Sequence, residues 1–237
     1  MALDKLVDSS QLDTDLTSIA NAIRAKSGGS GQLAFPSGFV SAVQAIPTGT
    51  TGWTSADVAK NLAPSGRVEL TYSGNIEVYA LSGKPITELF APNTRLQTSA
   101  LAYCTQLQTA VIGGIGSSGQ FNECSNLRAA DFTGKYGGAI NGTFNKCTNL
   151  TVLVLRRTTV NNLSNVSAFA NSPFASGKAG GTLYVPNDLI ASYQAATNWS
   201  TILGYTNNQI KSIESTATDP DAPVDLTTHY IDGTPIT

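Results

Sequence analysis

LAYCTQLQTAVI (101–112), FNECSNLRAADF (121–132) and FNKCTNLTVLVL (144–155) align without a gap. Each opens on a large apolar residue, places Cys three positions on and follows it with Ser or Thr. Leu comes three after the Cys, and another apolar residue five after that Leu. The cysteines, Cys104, Cys124 and Cys147, lie 20 and 23 residues apart. A degenerate fourth copy starts at Phe169, with Ser172 in the Cys position and TLYVP (182–186) as its strand; ITELFAP (86–92) reads as an earlier strand without its Cys half. Self-similarity at this period marks stacked supersecondary units. One copy cannot bury its own apolar side, whereas stacked copies share a continuous core and line their strands up in parallel. Cys is a small hydrophobe and suits an interior column. The expected fold class is therefore α+β and repetitive: a short solenoid with a parallel strand ladder over residues 84–186.

Outward from the repeat, the flanks read differently. At the N-terminus, Ser9 and Ser10 are helix N-caps. Leu12, Leu16, Ile19 and Ile23 then recur at spacings of three and four, which makes one apolar stripe. Arg24 and Lys26 sit at the C-terminal end of that helix, and Gly28-Gly29 stops it. After SGGSG (27–31), LAFPSGFVSAVQAI (33–46) carries a turn and a second short helix. Residues 1–47 are thus expected to form a small helical attachment or oligomerisation module, too small a core to stand alone. Residues 48–83 are expected to be a linker, a short helix over 54–62 and a β-hairpin (Val68, Leu70 and Tyr72, a turn at Ser73-Gly74-Asn75, then Ile76, Val78 and Ala80) that caps the solenoid. Residues 187–213 read as a C-terminal capping helix and 214–237 as an acidic tail whose THYIDGTPIT end has strand character.

The pattern F-x-x-C-[ST]-x-L followed by a strand resembles the BspA-like leucine-rich repeat. GTLYVPNDLIASYQAATNWSTI (181–202) resembles the end of such arrays, where a YVP strand leads into a capping helix. This resemblance spans residues 84–213. It implies a leucine-rich-repeat solenoid sealed by Tyr193 and Trp199 and used as a recognition scaffold. The Pro that ends each repeat strand in that family is matched at Pro92 and Pro186 and missing after Ile112, Phe132 and Leu155. LTSIANAIRAKSGGSGQLAFPSGFVSAVQAI (16–46) resembles the N-terminal helical module of structural proteins from phages of Gram-positive gut bacteria. Together these imply a virion structural protein of tail-fibre, baseplate or head-fibre type, assembled in the host cytoplasm and displayed on the particle. Its partners would be other virion proteins through the N-terminal helices, sister chains in a homo-oligomer (a trimer by analogy with virion fibres), and a host-surface glycan or protein. The alternatives are a purely architectural decoration or baseplate component without a ligand, and a bacterial surface adhesin.

Composition narrows the function classes. The 237 residues are 41% hydrophobic but only 13% charged, with a net charge of −2, which argues against general nucleic-acid binding. MALDKLVDSSQLD lacks the apolar core of a signal peptide, and no apolar run is long enough to span a membrane. Residues 85–186 carry seven Lys/Arg against three Asp/Glu, whereas 212–237 carry five acids and no base. The basic middle and its tyrosines supply the candidate recognition residues Tyr103, Arg128, Lys135, Tyr136, Lys146, Arg156 and Arg157, since Arg and Tyr are enriched in binding surfaces.

Catalytic, cofactor and metal sites are not expected. Gly114-Ile115-Gly116-Ser117-Ser118-Gly119 matches G-x-G-x-x-G but falls between two repeat copies, where a turn is needed, rather than opening a helix. The cysteine spacings fit no zinc pattern, and their odd number argues against a disulfide set. The single histidine, His229, lies in the acidic tail, and no G-x-S-x-G elbow accompanies it. Asp219, Asp221 and Asp225 lack the ligand order of a calcium loop and read as a proline-stiffened linker. A glycan-cleaving carboxylate pair would have to come from Glu88, Glu123 and Asp131.

Overall fold

The computed structural model describes residues 14, 16–22, 65–70, 73–175, 177–178, 180–202 and 209–214. The chain divides into two compact units, Met1–Thr51 and Gly52–Thr237. In the first, residues 16–22 are helical, and Ser18 Oγ donates to the Thr14 carbonyl one turn earlier at 2.9 Å. Ala20 is buried and Leu16 half-buried, while Ile19 is 49% exposed. Leu12, Ile23, the expected helices at 33–46 and 54–62, His229 and the acidic tail beyond Glu214 lie outside the described residues.

The second unit contains the expected repeat solenoid. Its strands are β1 (Arg67–Glu69), β2 (Gly74–Ile76), β3 (Glu88–Leu96), β4 (Thr109–Ile115), β5 (Ala129–Phe132), β6 (Val152–Leu155), β7 (Thr182–Val185) and β8 (Ile210–Ser212). All pairings are parallel, in the order β1-β3-β4-β5-β6-β7-β8, with β2 also on β3. The register puts the repeat's apolar positions on one side. Leu89, Ala110, Ala130, Leu153 and Leu183 form one inward column; Ala91, Ile112, Phe132 and Leu155 form the next.

Three expectations change here. The segment around residues 67–76 is not a hairpin: β1 and β2 each pair in parallel with β3. They alternate like hairpin strands because each has one face in the core, and alternation reports burial rather than pairing partner. Pro92 does not end its strand either. β3 runs on through a register shift between Ala91 and Arg95, a place where the missing N–H costs no ladder bond. Its second half starts a shorter second ladder, in which Ile76, Leu96 and Ile115 are in register and Ile140 bridges Leu163. Finally, β8 adds a rung after the capping helices, in the segment read from sequence as helix alone.

The Cys-containing halves are stacked turns. Phe121 N–H donates to the Thr143 carbonyl at 3.0 Å and Phe144 N–H to the Ala168 carbonyl at 2.8 Å, so each turn hangs on the next. The thiols point inward and donate backwards: Cys104 to the Leu81 carbonyl, Cys124 to Leu101 and Cys147 to Phe121, each at 3.0 Å. All three are free, and fully buried. Beside them runs a ring stack. Phe121–Phe144 and Phe144–Phe169 centroids are 5.3 Å apart with planes 8° and 19° from parallel. The fourth copy is real in the same register, with Ser172 N–H bonded to the Phe169 carbonyl at 3.0 Å as each Cys N–H is to its own aromatic or Leu.

Tyr193, from the helix Ile190–Ala195, and Trp199, from the helix Trp199–Ile202, seal the stack. The Trp199 ring lies 5.9 Å from Phe169 and 5.3 Å from Tyr193. Both polar tips end on buried Asn161. Trp199 Nε1 donates to its carbonyl at 2.7 Å, Tyr193 OH donates to its Oδ1 at 3.1 Å, and its N–H donates to the Tyr193 oxygen at 2.9 Å. Burial pushes the Tyr193 hydroxyl up to about 12.

Candidate recognition surface

The position before each Cys has left-handed backbone. Tyr103, Glu123 and Lys146 occupy it on successive copies, at φ of 63°, 62° and 60°, with Asn171 at 60° in the fourth copy and Gly83 at 68° in the preceding turn. The left-handed backbone turns these side chains outward. Tyr103 is 51% exposed, and Lys146 Nζ bonds Glu123 Oε1 at 2.7 Å. That hydrogen bond raises the Lys146 pKa.

The position before that one lies in an open groove. Asn122 and Asn145 follow the Phe of their copies, and Asn145 Nδ2 donates to Asn122 Oδ1 at 3.0 Å. With Ser99, Ser118, Asn141 and Ser167 they line a groove of about 410 Å³. The side chains here are neutral amides and hydroxyls, which both donate and accept. Such a lining matches a neutral, hydroxyl-rich ligand better than an anion. Sequence reasoning passed over this groove because it searched for charge and aromatics. The signal was in the aligned copies all the same: FNEC and FNKC share the Asn.

The candidates singled out by charge do not share one surface. Arg128 extends from the start of β5 and bonds the Gln108 side chain. Lys135 reaches Ser73 Oγ at 2.8 Å and Asn93 Oδ1 at 3.0 Å. Tyr136 lies over Gly113 and Gly114, and Arg157 packs on Gly134 and Gly137, so these three fill the corner between the two ladders. Arg156 is largely buried on the outward side of the sheet, bidentate on Asp131 at 2.8 and 2.9 Å. Only Tyr103 and Lys146 sit beside the groove's Asn pair.

Among the described residues no group of three or more His, Cys, Asp or Glu is placed to hold a metal ion. Burial pushes the Cys147 thiol up to about 12, and Cys124 is raised by the neighbouring Cys104 thiol and then by burial. Residues 114–119 finish β4 and form the turn before the second copy, as expected. No described helix is long and apolar enough to cross a membrane. Comparison with family models, curated proteins and solved structures gave no match.

Proposed function

We propose that the chain is a non-enzymatic structural and recognition protein of a phage particle, with the repeat turns as its display surface. The observation that carries the recognition half is the groove around the Asn122–Asn145 pair: neutral donors and acceptors repeated at the spacing of the turns, on a backbone whose rungs are hydrogen-bonded. Repeated amides along a stacked backbone present the same contact to successive units of a polymer, which suits a host-surface glycan. The N-terminal helices attach the chain to other virion proteins and to sister chains, with a trimer favoured. Half-exposed Ile19 lies on the stripe that would face such a partner. Several weak sites on one particle then act through avidity. The resemblance to BspA-like repeats and to phage helical modules supports the same reading.

The test is adsorption of the labelled full-length chain to Gram-positive cell-wall glycans. The double variant Asn122→Ala/Asn145→Ala is expected to lose at least ~1.4 kcal/mol, tenfold, in binding with an unchanged melting temperature. Equal adsorption by the variant would contradict the groove assignment. Absence of any adsorption would favour a purely architectural component.

A further inference from the structure

Among the described residues of the solenoid, Val78, Tyr79 and Tyr103 are the large apolar side chains left exposed, Tyr79 most of all at 60%. The stacking bonds place both tyrosines against the groove described above. Tyr79 N–H donates to the Thr98 carbonyl at 3.3 Å, Ser99 N–H to the Ser118 carbonyl at 3.1 Å and Gly119 N–H to the Asn141 carbonyl at 3.1 Å. Tyr79, Ser99, Gly119 and Gly142 therefore form one column along the solenoid. Ser99, Gly119 and Gly142 line the groove, and Tyr79 continues their column one turn further. Tyr103 N–H donates to the Asn122 carbonyl at 2.8 Å, which puts Ala102 in register with Asn122 and Tyr103 in the column alongside.

Both tyrosines stand on backbone that favours glycine. Their φ values are 57° and 63°; Gly119 at 69° and Gly142 at 59° fill the column of Tyr79, and Gly83 at 68° that of Tyr103. A side chain on left-handed backbone is strained, and burial does not offset that strain for rings that face water. Folding alone favours glycine at both places. A rigid ring held in a strained, exposed position beside a groove points to binding.

We propose that Tyr79 and Tyr103 are the stacking platform of the groove, and that its ligand is a neutral glycan chain lying along the solenoid axis. The inference rests on the groove reading given under the proposed function and names the contacts that reading lacks. The C–H face of a sugar ring lies on a tyrosine, whose ring face is negatively polarised, while the hydroxyls of the next sugars meet the Asn122 and Asn145 amides. Tyrosine suits this task because it offers a large contact area with few torsions to fix. The groove spans four turns, three rung spacings or roughly 14 Å, so it takes a short run of sugars rather than one. Glu123 and Lys146, which follow Tyr103 in its column, neutralise each other at 2.7 Å, so the platform offers no net charge to an anionic polymer.

The test is adsorption of the labelled full-length chain to neutral Gram-positive cell-wall polysaccharide, read together with the melting temperature. Tyr79→Gly/Tyr103→Gly is expected to adsorb at least ~10-fold more weakly while melting at the same temperature or higher. Tyr79→Phe/Tyr103→Phe is expected to adsorb within ~2-fold of the parent, since the rings and not the hydroxyls make the contact. Equal adsorption by the glycine variant overturns the platform, and the Asn122→Ala/Asn145→Ala variant measured beside it then shows whether the groove reading survives. Loss of adsorption in the phenylalanine variant overturns stacking and assigns the contact to the hydroxyls. A lower melting temperature in the glycine variant assigns the rings to the fold and overturns the proposal as well. A parent chain that does not adsorb at all overturns the groove reading and the platform with it.

Discussion

At the scale of single residues, the repeat tolerates unfavourable backbone at a fixed place. Tyr103, Glu123 and Lys146 hold a left-handed conformation that costs a non-glycine residue roughly 1–2 kcal/mol. The stacking bonds of the turn impose it; Tyr103 N–H still reaches the Asn122 carbonyl at 2.8 Å. Gly83 occupies the same position with nothing within 4 Å of where a Cβ would sit, so substitution there tests backbone alone. Gly83→Ala is expected to destabilise by about 1 kcal/mol and Tyr103→Gly to stabilise by about 0.5 kcal/mol in chemical denaturation. The opposite signs would show that the turn geometry is not imposed by the stack. Gly138 illustrates a different constraint: its added Cβ would lie 2.1 Å from the Ile115 carbonyl oxygen, so this glycine is required by the close approach of two rungs. Neither requirement is visible in the F-x-x-C pattern, which records side chains and not φ.

At the scale of elements, the inward columns were legible and the outward Asp131–Arg156 pair was not. The apolar residue five after each repeat Leu, namely Ile112, Phe132 and Leu155, is the inward strand residue, and the cysteines line the interior as their chemistry suggested. The end seal by Tyr193 and Trp199 also follows the sequence reading. The hairpin reading failed because two strands of one coil alternate just as two strands of a hairpin do. The sequence offers Arg156 as a recognition residue and Asp131 as one of three carboxylates available for a glycan-cleaving pair; their pairing depends on β5 and β6 being neighbours, and the two residues lie 25 positions apart in sequence. Asp131 is fully buried and Arg156 nearly so. Arg156→Ala is therefore expected to cost about 3–5 kcal/mol, because it removes the bidentate guanidinium from a buried carboxylate. Replacing both residues by apolar ones of similar size should recover most of that loss. Denaturant melts of the single and double variants check this, and a single variant within ~0.5 kcal/mol of the parent would mean that the pair is solvated.

At the scale of the whole molecule, the buried thiols and the sealed end make stability depend on alkaline pH. The Tyr193 hydroxyl and the Cys147 thiol are both pushed up to about 12 in the fold. In the unfolded chain they lose their protons near ~10 and ~8.5. Above about pH 9 the unfolded state therefore binds fewer protons than the native state, and stability falls as pH rises toward 12. The melting temperature should be flat from pH 7 to about 8.5 and drop steadily beyond it; Tyr193→Phe should flatten the upper part of that drop, between about pH 10 and 12. A profile unchanged up to pH 12 would place these groups in water.

In the proposed assembly the N-terminal helical module carries several copies of the repeat solenoid. Light scattering on the full chain and on a chain starting at Trp53 decides this: a trimer is expected for the full chain and a monomer for the shortened one. A full chain that is monomeric at every concentration would overturn the assembly.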